Sequence, residues 1–282
     1  MKILAPAKVN LYLRVVGKRD DGYHLIDSLM VPVSLYDEIE ITRPRKAKGV
    51  LMVTCDDSNV PAGRKNLVYK AGTLLLRQKG IRDPVRVHIR KRIPIGAGLG
   101  GGSSDAAAAM LGLNRFLRLG YHRGTILSLA AGVGADVPFF VYGCPARARG
   151  VGEQLRPLPF FPKLWMVILY PGFAVSTRWI YRNLEIKLTK VNKNTNLNLC
   201  LEDPSELARL LVNDLEGVTI RRYPCLASLK ERLVQEGAVG ALMSGSGSSV
   251  FGIFAAEKGA KKAFRRLQRE AGVRAYLVQS LT

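Results

Sequence analysis

The feature that most constrains this chain is a glycine-rich segment at residues 94–108, Pro-Ile-Gly-Ala-Gly-Leu-Gly-Gly-Gly-Ser-Ser-Asp-Ala-Ala-Ala. Five glycines within seven positions remove side chains where something must approach the backbone closely. The Ser-Ser-Asp that follows is typical of a capped helix start, and a strand pattern leads directly into the loop. Such a loop presents free N–H groups and the positive end of a helix to one place, which suits a phosphate. A flexible linker is disfavoured, because no spacer separates the loop from its flanking elements.

Two better-known glycine motifs do not fit this segment. It lacks the lysine of Gly-x-x-x-x-Gly-Lys-[Ser/Thr], so it is not a Walker-type phosphate loop. Gly96, Gly98 and Gly101 satisfy Gly-x-Gly-x-x-Gly, but the dinucleotide fingerprint also needs an acidic residue about 20 positions further on. No Asp or Glu occurs between Asp105 and Asp136, so the carboxylate that would hold a ribose is absent from the sequence.

The composition is that of a globular chain with a large core. With 282 residues, of which 48% are hydrophobic, we expect one or two domains. No apolar run approaches the roughly 18 residues that a membrane span needs, and Pro6 and Lys8 interrupt any signal-peptide pattern. The cysteines lie far apart and the histidines are scattered, so neither a disulfide framework nor a zinc site is indicated. These observations predict a cytoplasmic protein without a membrane partner.

The chain carries a formal net charge of +21. Its basic residues cluster at residues 43–48, 86–92 and 261–269. This charge is compatible with attraction for polyanions, either nucleic acid or small substrates with several phosphates. It is also typical of a solvated basic surface, since the last cluster has the pattern of an amphipathic helix with Ala263, Phe264 and Leu267 on its apolar side. Charge alone leaves both interpretations open.

Strand and helix patterns alternate along the chain without a regular βαβ repeat, which predicts an α+β fold. Residues 8–16 alternate like a strand, and the glycine-rich segment lies between a strand at 85–89 and a helix at 104–117. Residues 150–163 contain three prolines and few apolar repeats, which makes them the best candidate for a domain boundary.

Four features could carry chemistry, and each has a structural alternative. Lys8 lies in an alternating strand, either on its solvent face or directed into a site. Asp136, in an apolar stretch, is either a helix N-cap or a general base within reach of a substrate hydroxyl. Residues 244–249 form either a tight turn or a second set of N–H and hydroxyl donors. Tyr23 and His24 follow a turn and either pack locally or stack on a ligand.

Three segments of the chain resemble the three motifs of the galactokinase–homoserine–mevalonate–phosphomevalonate (GHMP) kinase superfamily. They are residues 5–13 (Ala-Pro-Ala-Lys-Val-Asn-Leu-Tyr-Leu), residues 94–108 and residues 242–251 (Leu-Met-Ser-Gly-Ser-Gly-Ser-Ser-Val-Phe). The third segment departs from the Thr-Gly-Ser-Gly of many relatives by having a serine in the first position. A serine keeps the hydroxyl, so we expect the motif to tolerate it.

Within the superfamily, further segments resemble the members that act on 4-diphosphocytidyl-2-C-methyl-D-erythritol in the non-mevalonate route to isoprenoid precursors. These segments follow the order found in those members over most of the chain: residues 22–29, 37–41, 65–71, 134–140 and 213–216. The basic charge is higher than the resemblance leads us to expect.

The resemblance implies a two-domain GHMP kinase fold with an N-terminal domain at residues 1–155 and a C-terminal domain at residues 156–282. The active site, with ATP bound, would lie in the interdomain cleft. Lys8 and Asp136 match the catalytic lysine and aspartate. Asp136 would take the proton from the 2-hydroxyl of the substrate as it attacks the γ-phosphate, and Lys8 would stabilise the developing charge.

The resemblance also assigns the binding residues. ATP would be bound together with Mg²⁺, for which Ser103 or Ser104 is a candidate ligand. The residues implied in ATP binding are Asn66 and the loop residues Pro94, Ile95, Gly96, Ala97, Gly98, Leu99, Gly100, Gly101, Gly102, Ser103 and Ser104.

The cytidine end of the small-molecule substrate would lie against aromatic residues. His24 matches the residue that pairs with the cytosine, and Tyr23 and Tyr181 match positions that stack on its ring. Asn10 would contact the methylerythritol part.

Two other functions remain as alternatives. A GHMP kinase that acts on mevalonate, homoserine or a sugar would have no base to stack on Tyr23, His24 and Tyr181. An RNA-binding protein would be expected to interleave aromatic residues with its basic clusters, and residues 43–48 and 86–92 contain none. We therefore expect no specific nucleic-acid partner, and either a monomer or a homodimer.

Overall fold

The computed structural model describes residues 1–46, 49–61, 63–158, 160–184 and 204–282. Its strands are β1 (Lys2–Lys18), β2 (His24–Thr42), β3 (Leu51–Cys55), β4 (Val85–Arg90), β5 (Ala146–Gly150), β6 (Gln154–Pro157), β7 (Trp165–Tyr170), β8 (Val212–Asn213), β9 (Gly240–Met243), β10 (Val250–Phe254) and β11 (Arg274–Gln279). Its helices are α1 (Leu67–Gln78), α2 (Gly101–Phe116), α3 (Arg123–Ala131), α4 (Val137–Tyr142), α5 (Thr177–Arg182), α6 (Pro204–Arg209), α7 (Glu216–Arg222), α8 (Cys225–Gln235) and α9 (Glu257–Leu267). The predicted α+β class is confirmed.

The chain divides into two compact units, and both are built from separate stretches of sequence. The first unit contains Met1–Ala7, Leu35–Ile95 and Gly100–Gly143. The second contains Lys8–Ser34, Gly96–Leu99 and Cys144–Thr282. Strands β1 and β2 therefore contribute residues to both units.

The first unit packs helices against a small sheet. Strand β4 pairs antiparallel with the second half of β2 and parallel with β3, so Ile39 lies opposite Ile89 and Val53 lies opposite Val87. Every second residue of β4 is buried, as the alternating sequence requires for a half-covered strand. Helix α1 presents Val68 to the same core, where α2 packs beside it.

The second unit contains a four-stranded antiparallel sheet in the order β11-β7-β10-β9. Strands β7 and β10 are central, and their uninterrupted apolar sequences are buried almost throughout. Helices α8 and α9 cover this sheet; Leu233 of α8 and Leu267 of α9 lie in its core. The unit also contains the parallel pair β1–β8 and the antiparallel strands β2, β5 and β6.

Two details differ from the sequence predictions. Helix α2 begins at Gly101 rather than at residue 104, and its N-cap is Gly100 in a left-handed conformation with φ of 71°. The expected cap by the Ser-Ser-Asp segment is therefore wrong, because these side chains already lie in the first two turns of the helix. Strand β6 forms inside the proline-containing stretch at 150–163, where it pairs with β5. The exact domain boundary at residue 155 stays a prediction.

The amphipathic character of the last helix is confirmed. Ala260, Ala263 and Leu267 of α9 are buried, and the basic residues occupy its outer face. In the part of the chain that the structure describes, no helix combines the length and the apolar character needed to cross a bilayer.

Candidate active site

The tip of the glycine-rich loop, Gly96–Leu99, is held in the second unit through its carbonyl groups. The carbonyl oxygen of Gly96 accepts from the N–H of Val175 at 2.9 Å, and that of Ala97 accepts from the N–H of Ser249 at 3.1 Å. Those of Gly98 and Leu99 accept from the Ser244 hydroxyl and the Lys8 N–H, each at 3.0 Å. Every carbonyl of the tip is thus directed toward the protein.

The N–H groups of the tip differ from its carbonyl groups in their hydrogen bonding. Among the described residues, the N–H groups of Ala97, Gly98 and Leu99 have no hydrogen-bond acceptor. Successive unpaired N–H groups in a glycine-rich turn form a concave donor surface that favours an anion. The tip therefore has the polarity that a phosphate requires.

Gly98 allows the tip to lie directly on the second loop, residues 244–249. Its φ is +77°, and a Cβ at this position would overlap the carbonyl oxygen of Ser244. A backbone atom cannot move aside as a flexible side chain would. The loop needs glycine here for both conformation and space.

Hydrogen bonds from side chains hold the second loop, residues 244–249, in place. Asn213 donates to the carbonyl oxygens of Met243 and Gly245 at 2.8 and 2.7 Å, and its Oδ1 accepts from the N–H of Leu215 at 3.0 Å. The hydroxyls of Ser246 and Thr177 lie 2.8 Å apart. Of the two interpretations of residues 244–249, the structure shows the turn, which joins β9 to β10. Their role as a second set of donors stays a prediction.

Lys8 lies buried in the second unit, on strand β1. Its ammonium donates to Asn10 Oδ1 at 2.5 Å, and Asn10 Nδ2 donates to the Ser28 hydroxyl at 2.8 Å. That hydroxyl donates to the carbonyl oxygen of Tyr12 at 2.7 Å. This chain of bonds fixes the amide orientation of Asn10 and the position of the ammonium. The alternative of a solvent-exposed lysine is wrong, because Lys8 is only 4% exposed.

Sequence reasoning missed Ser28. The signal was present, since a serine interrupts the apolar run of β2, but its partner depends on how β1 and β2 are aligned. The sequence did bring together three of the elements that the structure gathers in this unit: Lys8 with Asn10, the loop tip, and residues 244–249.

His24 and Tyr181 form a ring pair in the second unit. Their ring centroids are 5.0 Å apart and the planes are tilted by 30°. Burial of the ring and the nearby Lys18 ammonium lower the pKa of His24, so the imidazole is neutral at pH 7. Tyr23 is 64% exposed. The structure thus joins two of the three aromatic residues that the resemblance selects.

The first unit holds the segments on both sides of the loop tip. Pro94 and Ile95 follow β4, while Gly100 caps α2 and residues 101–104 form its first turn. The first N–H groups of α2 have no partner inside the helix, as at every helix start. The Ser104 hydroxyl is buried and has no hydrogen-bond partner among the described residues.

A buried ion cluster lies beneath these flanking segments, and sequence reasoning gave it no role. The Lys91 ammonium donates to Asp37 Oδ2 and, at 2.8 Å, to Asp105 Oδ2. Burial raises the pKa of Asp105 to about 7, even though the Lys91 ammonium acts in the opposite direction. The sequence contained one signal for this cluster, namely a lysine, Lys91, just before the glycine-rich loop and an acid, Asp105, just after it.

Asn66 and Asp136 also lie in the first unit. Asn66 is the N-cap of α1, where its Oδ1 accepts from the N–H of Val68 at 2.8 Å and its Nδ2 donates to the carbonyl oxygen of Pro61 at 3.0 Å. Asp136 precedes α4 in the N-cap position, but its side chain makes no capping hydrogen bond. The capping interpretation of the Asp136 carboxylate is therefore not supported. Its role as a base stays a prediction.

Comparison with known proteins first identifies the class. The GHMP kinases N terminal domain matches residues 66–144, and the GHMP kinases C terminal domain matches residues 196–274. A crystal structure of Methanococcus jannaschii mevalonate kinase has a TM-score of 0.78, covering 100% of this chain and 98% of that chain. At 16% identity this likeness shows the fold alone. The expected two-domain GHMP kinase fold is confirmed.

Relatives that match along the whole chain identify the family. The 4-diphosphocytidyl-2-C-methyl-D-erythritol kinase of Syntrophotalea carbinolica is 43% identical over 276 residues, which is 98% of this chain and 97% of the relative. A crystal structure of a 4-(cytidine 5'-diphospho)-2C-methyl-D-erythritol kinase is 38% identical with a TM-score of 0.85, covering 100% of both chains. The chain therefore belongs to the family of 4-diphosphocytidyl-2-C-methyl-D-erythritol kinases. As a GHMP kinase it uses ATP as co-substrate.

Proposed function

We propose that this protein transfers the γ-phosphate of ATP to the 2-hydroxyl of 4-diphosphocytidyl-2-C-methyl-D-erythritol and forms the 2-phosphate, a step of isoprenoid precursor biosynthesis. One observation carries the proposal: the whole chain, and not one domain, matches kinases named for this substrate. Two features of the second unit support it: the loop tip has N–H donors suited to a phosphate, and its Leu99 carbonyl accepts from the backbone N–H of Lys8, whose side chain is buried.

The ATP phosphates bind along the glycine-rich loop, residues 94–104. Support comes, within the second unit, from the N–H groups of Ala97, Gly98 and Leu99, which have no acceptor among the described residues. Within the first unit it comes from the start of α2, whose positive end favours an anion. Asn66, at the start of α1, binds near the nucleotide.

The chemistry of the transfer is assigned to Lys8 and Asp136. Asp136 accepts the proton of the attacking hydroxyl. Lys8 stabilises negative charge on the hydroxyl or on the transferring group. Phosphoryl transfer needs mainly positioning and charge neutralisation, so this pair is sufficient together with the loop donors and Mg²⁺. The bond from Lys8 to Asn10 supports this role, since it holds the ammonium in one place.

Mg²⁺ accompanies ATP in this proposal. The described residues contain no group of three His, Cys, Asp or Glu side chains that could form a complete metal cage. Magnesium at nucleotide sites needs no such cage, because waters and phosphate oxygens fill most of its positions. The Ser104 hydroxyl, which has no hydrogen-bond partner in the described part of the chain, fits the one protein oxygen required, with Ser103 beside it. The ion would supply charge neutralisation on the phosphates.

The cytidine end of the substrate binds at His24, Tyr181 and Tyr23, and Asn10 contacts the methylerythritol part. A neutral imidazole has one donor and one acceptor, so it can pair with the edge of a base. The lowered pKa of His24 supports this, as does its ring contact with Tyr181.

The test compares three acceptors for the γ-phosphate of labelled ATP: 4-diphosphocytidyl-2-C-methyl-D-erythritol, mevalonate and homoserine. We expect transfer to the first acceptor alone. Transfer to mevalonate or homoserine but not to the cytidyl acceptor would contradict the proposal.

A further inference from the structure

The ion cluster formed by Asp37, Lys91 and Asp105 connects both sides of the glycine-rich loop. Asp37 lies in β2 and is fully buried. Its Oδ1 accepts from the N–H groups of Arg92 and Ile93 at 2.5 and 2.9 Å. These two residues lead directly into Pro94, so one carboxylate fixes the backbone at the entry to the loop.

The exit from the loop is fixed by the same cluster. Asp105 lies in the second turn of α2, and its Oδ2 accepts from the Lys91 ammonium at 2.8 Å. The ammonium also donates to Asp37. A Cβ on Gly101 would lie 3.1 Å from Lys91 Nζ, so the ammonium lies against the first residue of α2. Lys91 thus joins the entry strand to the exit helix.

The cluster is costly to bury, which argues for a specific role. The Lys91 side chain is 6% exposed and lies at the positive end of a helix, where a cation is unfavourable. Buried ion pairs seldom add net stability over a well-packed apolar core. What they do provide is a defined geometry, since each charge accepts few arrangements of its partners.

We propose that Asp37, Lys91 and Asp105 are positioning residues that hold the entry and exit of the glycine-rich loop at the spacing that the ATP phosphates require. This inference rests on the proposed function. The three side chains act through the loop backbone.

The test measures binding of a non-hydrolysable ATP analogue with Mg²⁺ by calorimetry, without the second substrate. In Asp37→Asn, a single amide oxygen replaces two carboxylate oxygens that serve three donors. We expect its dissociation constant to rise about tenfold, as when a charge-assisted contact no longer holds a binding loop. Asp105→Asn keeps one acceptor for Lys91, so we expect a smaller rise of roughly threefold. In both variants, amide exchange of residues 94–104 becomes faster in the absence of nucleotide.

Two controls separate position from stability and from charge. Leu233→Ala opens a cavity in the core of the second unit and so lowers the stability of the protein. Leu233 is not part of the ion cluster, which lies in the first unit. Asp83→Asn removes one exposed acid that is paired 3.5 Å from Arg43. We expect both controls to bind the analogue like the wild type.

Steady-state assays give a second readout. The KM for ATP rises in the cluster variants Asp37→Asn and Asp105→Asn, while the KM for the second substrate is unchanged.

The outcomes are distinguishable. Wild-type affinity and wild-type exchange in Asp37→Asn and Asp105→Asn would overturn the inference alone. Tighter binding would also overturn it, since the cluster would then act through its charge. A wild-type chain that binds no nucleotide would overturn the proposed function as well. If Asp37→Asn does not fold, Asp105→Asn decides the question.

Discussion

Gly98 is the residue at which the glycine-rich loop meets the backbone of residues 244–249. Its positive φ and the contact with the Ser244 carbonyl leave no room for a side chain. We predict that Gly98→Ala weakens binding of ATP about tenfold or more, because the loop tip must move away from its support. Calorimetric titration with an ATP analogue measures the change.

Gly120→Ala is the matched control for this prediction. Gly120 also has a positive φ, +71°, but nothing lies within 4 Å of a Cβ there. Both variants carry the strain of an L-residue in this conformation, and only Gly98→Ala adds the overlap. Equal ATP affinities in the two variants would show that the contact with Ser244 is unimportant for the nucleotide.

His24 gives a prediction that depends on pH. We expect His24→Ala to raise the KM for the cytidyl substrate about tenfold and to leave the KM for ATP unchanged, because the imidazole is proposed to pair with the cytosine and not with ATP. The lowered pKa keeps the ring neutral at pH 7 and above. As pH falls through that lowered pKa, on the acidic side of about 6.5, protonation removes the acceptor and the wild-type KM rises.

Steady-state titrations of both substrates between pH 5.5 and 8 give these constants. His122→Ala serves as control, since His122 is exposed at the start of α3 and makes no side-chain cap. A variant that loses affinity equally for both substrates, or keeps the wild-type pH dependence, would refute a contact between His24 and the base.

Single residues show what the sequence can and cannot predict. Lys8, Asn10 and residues 244–249 were selected from the sequence because their motifs are local and the resemblance covers them. Ser28 and the Asp37–Lys91–Asp105 cluster were not, because their meaning arises from contacts between distant segments. Lys91 and Asp37 are 54 positions apart in the chain. No local pattern encodes such a contact.

At the scale of elements, helix α1 shows one residue with two candidate roles. Asn66 caps α1 in the structure and is proposed to bind near the nucleotide. We predict that Asn66→Ala lowers the free energy of unfolding by about 1 kcal/mol, since the N–H of Val68 loses its acceptor. Asn66→Asp keeps the acceptor and should recover most of this loss. Urea denaturation of the three chains measures it.

The same pair of variants separates the two roles of Asn66. If the amide contacts the nucleotide, Asn66→Asp loses ATP affinity while it keeps the stability of the helix. Wild-type affinity in Asn66→Asp would restrict Asn66 to capping α1.

For the helices and strands near the site, the type of element was predicted better than the residues at which it begins and ends. The strand before the loop and the helix after it were both found from their periodicity. The helix start was wrong by three residues, because the sequence shows serines that suit a cap while the structure uses Gly100 in a left-handed conformation. Which glycine takes that conformation depends on the packing of the loop, and propensity alone does not decide it.

At the scale of the whole molecule, most of the points at which the chain passes from one compact unit to the other could not be predicted from the sequence. Four of the five points at which the compact units change, 7/8, 34/35, 95/96 and 99/100, lie within continuous strands or within the glycine-rich loop, and the fifth, 143/144, lies between α4 and β5. No change of composition marks the first four points, whereas Gly143 and Pro145 mark the fifth. Proline and glycine signals mark loops between elements and leave divisions within a strand unmarked.

The net charge of +21 leads to a prediction about salt. Both substrates are polyanions, so a basic protein attracts them at low ionic strength and less strongly when salt screens the charge. We expect the KM values for both substrates to rise several-fold between about 0.02 and 0.3 M KCl while kcat stays constant. Sucrose at equal osmolarity is the control. KM values that do not change with salt would identify the basic residues as a solvated surface without influence on the substrates.

The central claim is that this chain phosphorylates one hydroxyl of one cytidyl substrate with Asp136 as the base. The most direct measurement follows the reaction of ATP with 4-diphosphocytidyl-2-C-methyl-D-erythritol by ³¹P NMR, with wild type and Asp136→Asn side by side. The account predicts one new phosphomonoester, at the 2-hydroxyl, for the wild type. It predicts a rate lower by about 10²–10⁴ for a variant that unfolds at the same temperature. A phosphate on another hydroxyl, or full turnover by Asp136→Asn, would contradict it.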